Sequence, residues 1–211
     1  MQALVENKVW TEAELMALPD DGRKYELVEG EIVVSNAGIE HEFIGARLII
    51  VLGGFVHGKK PGVVCGSSAG YWMKSGNLRS PDVSFIAKER LQGLRHAPKK
   101  FFQGAPDLVV EILSPSDAMD GLHEKIVEYF ESGARLNWVL NPEEETVLVY
   151  HSPQPDLLLR SGDSISGEDV IPGFSMLLSE LFAELEKLRD SLAAAPRLAS
   201  SLSMASLSLV K

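Results

Sequence analysis

Two carboxylates in this 211-residue chain stand where packing alone would not put them. The stretch Ala105–Asp117, APDLVVEILSPSD, reads as a buried strand, yet carries Glu111 in its middle. On an extended strand alternate residues share a face, so Asp107, Val109, Glu111 and Leu113 point one way and Leu108, Val110 and Ile112 the other. A buried carboxylate is costly unless a cation, a set of hydrogen bonds or a metal compensates it. A second acid has a similar setting. In Ser80-Pro-Asp82-Val-Ser-Phe-Ile86 a proline opens the strand, where its missing N–H does no harm, and Asp82 follows. Asp82 and Glu111 are separated by room for two strands and the connection Lys88–Gly104, so neighbouring strands can bring both into one pocket. Two converging carboxylates repel unless a divalent cation lies between them, and Mg²⁺, with its oxygen ligands and retained waters, suits such a pair.

Lys125 adds a positive group. It lies on the expected helix after Glu111, three residues from Leu122 and four from Tyr129, on the flank of the apolar stripe. Glu124, Glu128 and Glu131 are expected to face water. From that flank an ammonium can reach the end of the sheet and meet a water or a phosphate oxygen; it could equally pack its stem and leave its charge in solvent.

The elements that must position these groups follow from local pattern. Thr11-Glu-Ala-Glu14 is a capping box, with Trp10 and Leu15 as its hydrophobic staple, and predicts a short helix over 12–17. Pro19–Gly22 is a turn. Lys24–Glu29 and Glu31–Ser35 read as a hairpin. Residues 40–56 have helical periodicity, with Ile44, Leu48, Val51, Leu52 and Phe55 on one face and His41 at its start. Strands are expected at 62–67, 69–74, 81–87 and 107–113, and a helix at 120–132 with the stripe Leu122, Ile126, Tyr129, Phe130, stopped by Gly133. A second hairpin, 135–140 with 146–151, crosses Asn141-Pro142; one or two edge strands lie in 156–175; a helix spans 179–188. The sum is an α/β chain: a mixed central sheet with hairpins, flanked by helices. Residues 1–190 make one domain, and 191–211 a Ser/Ala/Leu-rich tail that is loosely ordered or docks a partner.

Composition is that of a soluble globular protein, with 45% apolar and 24% charged residues. The start of the chain has no apolar run like that of a signal peptide, and Leu48–Val56 is too short to cross a bilayer, which points to the cytoplasm. Cys65 is alone and is expected to be a small buried side chain. The net charge of −10 argues against a nucleic-acid partner, but the charge is uneven. Residues 57–104 hold nine Lys and Arg against Asp82 and Glu89, enough for a local basic surface or for scattered solvated charges.

Tyr25-Glu-Leu-Val-Glu-Gly-Glu31, His41, Arg79-Ser-Pro-Asp82, the run from Pro106 to Ser116, Lys125 with Tyr129, Gly133 through Trp138, Asn141-Pro142 and Gly173-Phe174 occur in that order. Each is a weak signal; the ordered set, over residues 10–185, resembles the Uma-two endonuclease family of the PD-(D/E)XK restriction-endonuclease-like superfamily. The resemblance implies a restriction-endonuclease-like core with acids at the strand ends. It implies Asp82, Glu111 and the backbone carbonyl of Ile112 as ligands of Mg²⁺ or Mn²⁺, with Glu26 binding directly or through water. Lys125 would be the motif's lysine, delivered from the helix because position 113, two after the acid, is Leu. His41 would touch a phosphate or orient a water, or serve as a hydrogen-bonded residue at the core edge. Asp107 is a weaker candidate, and Asp117 reads as a helix cap. The substrate would be nucleic acid, DNA first, held by the basic 57–104 segment, and the protein a homodimer. A second reading keeps the fold without catalysis, as a nucleic-acid-binding or self-assembling module.

Overall fold

The structure, a computed structural model, describes residues 10–18, 24–35, 38–92, 101–115 and 119–194. The turn expected at 19–22, Asp117, residues 195–211 of the tail, and Arg95, Lys99 and Lys100 of the basic segment lie outside the described residues.

Helix α1 (Glu12–Met16) begins at the capping box: Glu14 N–H donates to Thr11 Oγ1 and Thr11 N–H to Glu14 Oε2. Leu15 packs in a cluster with Trp10, Leu27 and Leu78. Strands β1 (Lys24–Val28) and β2 (Glu31–Ser35) pair with Glu26 opposite Val33. The two turn residues, Glu29 and Gly30, both have positive φ, as a two-residue hairpin matched to strand twist requires. Helix α2 (Ile39–Lys59) lays Ile44, Leu48, Leu52 and Val56 into the main core.

The chain then runs through β3 (Gly62–Gly66), β4 (Tyr71–Trp72), β5 (Leu78–Arg79), β6 (Val83–Ala87), α3 (Lys88–Leu91), β7 (Phe102–Gln103) and β8 (Leu108–Ile112). It continues with α4 (Met119–Glu131), β9 (Leu136–Asn141), β10 (Thr146–Tyr150), β11 (Pro155–Arg160), β12 (Ser164–Ser166), β13 (Ser175–Leu177) and α5 (Leu178–Ala194). The large sheet has the order β11-β10-β9-β8-β6-β3, antiparallel except where α4 carries the chain from β8 to its parallel neighbour β9. A second sheet, β2-β1-β5-β4-β7, stands beside it, and β12 pairs β13.

Strand β8 is central and buried on both faces. Leu108, Val110 and Ile112 enter the core shared with α2 and α5, while Val109 joins Tyr71, Met73 and Tyr129. The alternation read from sequence therefore divides the strand between two cores, and Glu111 falls on the α4 side. At the edge, Gly62 lies so close to β6 that a Cβ would come within 2.1 Å of the Ile86 carbonyl, which excludes other residues there. Gly133 stops α4 as expected, at a φ of 105°.

Several expectations are corrected. The strand expected at 69–74 is only Tyr71–Trp72, and β5 and β7 are two-residue pairings too short to leave a periodic pattern. The Lys88–Gly104 connection contains α3. Helix α5 runs beyond 188 to Ala194, because nothing between those residues breaks a helix. Cys65 is half-buried, since β3 is an edge strand. Among the described residues no helix is long and apolar enough to cross a membrane.

Candidate functional site

The site forms where β6 meets β8. The register Val83↔Val110 carries Asp82 to the level of Glu111, and Asp82 N–H donates to Val110 O at 3.0 Å. Past that point the ladder continues through a side chain: Ile112 N–H donates to Asp82 Oδ2 at 2.8 Å. Asp82 thus ends the β6–β8 pairing by supplying the acceptor a main-chain carbonyl would otherwise supply.

Asp82 is heavily solvated by the protein. Lys24, at the start of β1, donates to Oδ1 at 2.9 Å, and His41 Nε2, in the first turn of α2, lies 3.0 Å from Oδ2. Burial alone would raise the Asp82 pKa. The His41 hydrogen bond and the Lys24 and His41 charges outweigh it and hold the carboxyl far below the usual range. The effect is reciprocal: burial disfavours charge on His41, but the bond to Asp82 raises its pKa. Among the described residues His41 Nδ1 has no hydrogen-bond partner, and it lies 3.8 Å from Glu42 Oε1.

Glu111 is held more sparingly. Tyr129 OH donates to Oε1 at 2.7 Å, and Lys125 Nζ stands 3.8 Å from Oε2, beyond hydrogen-bonding distance. Lys125 is also 3.5 Å from Glu26 Oε2. Burial, aided by the negative charges of Asp82 and Glu26, raises the Glu111 pKa against the opposing pull of Lys125 and Lys24. Glu111 in turn raises the Lys125 pKa, so that ammonium stays charged despite its burial. Glu26 is 4% exposed; its Oε1 accepts from Ser80 N–H at 2.8 Å, and Arg79 NH1 lies 3.5 Å from Oε2.

The sequence-expected residues Glu26, Asp82, Glu111, Lys125 and His41 therefore do converge. Of these, Glu26, Glu111 and Lys125 line a cleft of about 350 Å³ together with Arg79 and Val33. Asp82 and His41 are not in its lining, and His41 lines a second cavity of about 680 Å³ with Leu113 and Asn141. Asp107 stands apart. It accepts from Ala87 N–H at 2.8 Å and lies 3.5 Å from Arg90, a structural use.

Two features were not anticipated. Lys24 is the direct partner of Asp82, and its only signal in the sequence was its place two residues before Glu26, on the same strand face. Glu128, expected in water, is 8% exposed. It accepts from Arg79 Nε at 2.5 Å, from Asn77 Nδ2 at 2.7 Å and from the Ser75 hydroxyl. The unforeseen strand β5 places Arg79 against α4, and Glu128 turns inward to meet it. Arg79 thereby bridges Glu128 and Glu26 and braces one wall of the site. Two of the nine basic residues of 57–104, Arg79 and Arg90, are thus spent on internal carboxylates, while Lys59, Lys60, Lys74 and Lys88 are exposed.

Among the described residues no group of three or more His, Cys, Asp and Glu is drawn together as a ready metal site. The donor chemistry nonetheless fits a hard divalent cation. Each carboxylate oxygen can accept about two hydrogen bonds. Asp82 Oδ2 is filled by His41 and Ile112, and Oδ1 has one place beside Lys24. Glu111 Oε2 makes no hydrogen bond among the described residues, and burial, with the like charges of Asp82 and Glu26, raises the Glu111 pKa, a cost a divalent ion would relieve.

Comparison with known proteins agrees with this architecture. A crystal structure described as a putative nuclease belonging to DUF820, from Anabaena variabilis, superposes with a TM-score of 0.73 at 21% identity, covering 83% of this chain and 99% of that one. This likeness shows the fold: a restriction-endonuclease-like α/β core. No curated protein matches the sequence. Residues 12–180 match the sequence profile of the family Uma2, described as "Putative restriction endonuclease", a span that holds every residue of the cluster, and the chain belongs to that family.

Proposed function

We propose that this protein is a divalent-metal-dependent endonuclease that hydrolyses phosphodiester bonds in nucleic acid, with DNA the first candidate. The observation that carries the reading is the position of Lys125. A helix-borne ammonium stands by Glu111 and Glu26, carboxylates from strands of two different sheets, instead of extending into solvent. A packing role gives no reason to gather Glu26 and Lys24 of one sheet with Asp82, Glu111 and Lys125 around the other.

Asp82 and Glu111 would hold Mg²⁺ or Mn²⁺, with the Ile112 carbonyl and Glu26, directly or through water, completing the set. When bound, the ion supplies an acidified water and a polarised phosphoryl oxygen. The chain's own groups do the rest. Tyr129 fixes the rotamer of Glu111, and His41 and the Ile112 N–H fix that of Asp82. Lys125 orients the attacking water and offsets charge developing on the phosphate. The exposed lysines of the 57–104 segment hold the backbone of the nucleic acid without reading its sequence. A lone, half-buried Cys65 fits work in the reducing cytoplasm.

A second reading, a binding or self-assembling protein that keeps the fold without catalysis, is favoured by one observation: Asp82 and Glu26 already have cations from within, Lys24 and Lys125. Nicking of supercoiled plasmid with Mg²⁺ or Mn²⁺ separates the two. The endonuclease reading expects cleavage by the wild type, cleavage reduced about 10²-fold or more in Lys125→Ala, and no cleavage by Asp82→Ala. Equal cleavage by all three removes the reaction from this site; no cleavage by any favours the binding module.

A further inference from the structure

We infer that Lys24 is an internal counter-cation that stands where the divalent ion must act, and that metal binding requires Lys24 to leave Asp82. The inference rests on the metal-site reading above and adds a competition within it. Lys24 Nζ is 2.9 Å from Asp82 Oδ1, the one Asp82 oxygen with capacity left, because His41 and the Ile112 N–H occupy Oδ2. The same ammonium feels the charges of Glu111, Asp82 and Glu26 together, the three carboxylates that a divalent ion would draw on. An ammonium and a divalent cation at one carboxylate oxygen repel each other, so the two occupy it in turn.

The alternative position is built into the fold. Lys24 begins β1, its side chain is 17% exposed, and a four-carbon stem lets the charged end move to water while the strand stays paired. Lys125 differs: at 3.5 and 3.8 Å it makes no hydrogen bond to the carboxylates and has no coordinating oxygen to vacate. Arg79 differs again, tied to Glu128 on its far side. Lys24 alone of these three cations donates a hydrogen bond to a carboxylate of the Asp82–Glu111 pair.

The test is Mn²⁺ binding by titration calorimetry on the full chain, with wild type, Lys24→Gln, Lys24→Arg and the double variant Lys24→Gln/Asp82→Asn. The expected result is a Kd about tenfold or more tighter in Lys24→Gln, because the competitor is gone. Lys24→Arg, which keeps the charge and can grip the carboxylate with two N–H groups, binds Mn²⁺ no better than wild type or worse. The double variant loses the gain, which locates it at Asp82. A second measurement is amine labelling read by mass spectrometry: Mn²⁺ raises the labelling of Lys24 and leaves that of Lys125 unchanged. If wild type binds Mn²⁺ and Lys24→Gln binds it equally or more weakly, the competition is overturned while the metal site stands. If neither binds Mn²⁺, the metal-site reading falls and takes the competition with it.

Discussion

Asp82 and Glu111 are carboxylates at the facing ends of two paired strands, buried to the same degree, yet the protein treats them in opposite ways. Asp82 receives an ammonium, an imidazole and a backbone N–H, all within 3.0 Å. Among the described residues Glu111 receives one phenol, and Lys125 stays at 3.8 Å. Burial pushes both pKa values up; only Asp82 has partners enough to reverse the push. The lesson is that burial alone does not set a carboxylate's charge. The hydrogen bonds and the charges within reach decide it together with burial. One half of the site is organised and stable, and the other is left short of positive charge, which is the condition for recruiting a cation.

Removing the organised half should have the largest effect. Asp82→Ala leaves Lys24 charged and the Ile112 N–H unpaired in a buried place, so a loss of about 3–5 kcal/mol is expected in urea unfolding. A loss below about 1 kcal/mol would mean that water replaces the carboxylate and that the network is not what holds this corner.

Glu111→Gln should act in the other direction. The amide oxygen keeps an acceptor for Tyr129, and the buried charge, with its repulsion from like-charged neighbours, is gone, so a gain on the order of 1 kcal/mol, about 2–4 °C in Tm, is expected at neutral pH. The sign follows from linkage. Glu111 has a folded pKa above its unfolded one, so it costs stability as pH climbs through that interval, and the cost persists above it. A glutamine has no such cost, and the advantage of the variant should vanish in acid. Destabilisation equal to that of Asp82→Ala would erase the contrast between the two halves.

His41 sharpens the contrast through pH. Its folded pKa is raised, so the stability it contributes is fully present below about pH 6.5, the ordinary histidine value, and is lost as pH rises through the folded value. The stability gap between wild type and His41→Gln should be about 1 kcal/mol in the acid range and should narrow as pH rises. A gap that widens with pH would put the proton elsewhere.

The smallest effect is expected where the same chemistry sits in water. His151 bridges Asp156 at 2.8 Å and Glu168 at 2.6 Å on an exposed surface, and those contacts raise its pKa. Solvent screens such pairs, so His151→Ala should change Tm by no more than about 0.5 kcal/mol allows, around 1–2 °C. A loss as large as that of Asp82→Ala would show that hydrogen-bond count outweighs burial.

Much of this molecule is legible along the chain. The capping box at Thr11 and Glu14, the apolar face of α2, the two faces of β8 and the stop at Gly133 all appear where the sequence puts them. Each depends on residues within a turn or two of one another, and periodicity reports such local relations directly. Asp82 and Glu111 were also legible, because an acid inside an apolar strand asks for a partner. The misreadings share a different cause. Glu128 was placed in water by its helical position, but a two-residue strand 49 positions earlier holds Arg79 against it. Lys24 was passed over because it stands 58 positions from Asp82, at a strand start where a lysine is usually solvated.

What the sequence determined by itself, then, was the set of elements, their buried faces and the identity of the acids, since near neighbours enforce these through backbone geometry and apolar burial. Which cation answers which acid was decided only by tertiary structure. Charges act through space over a few ångströms, without regard to separation along the chain, and the partners become neighbours only when the sheets have formed.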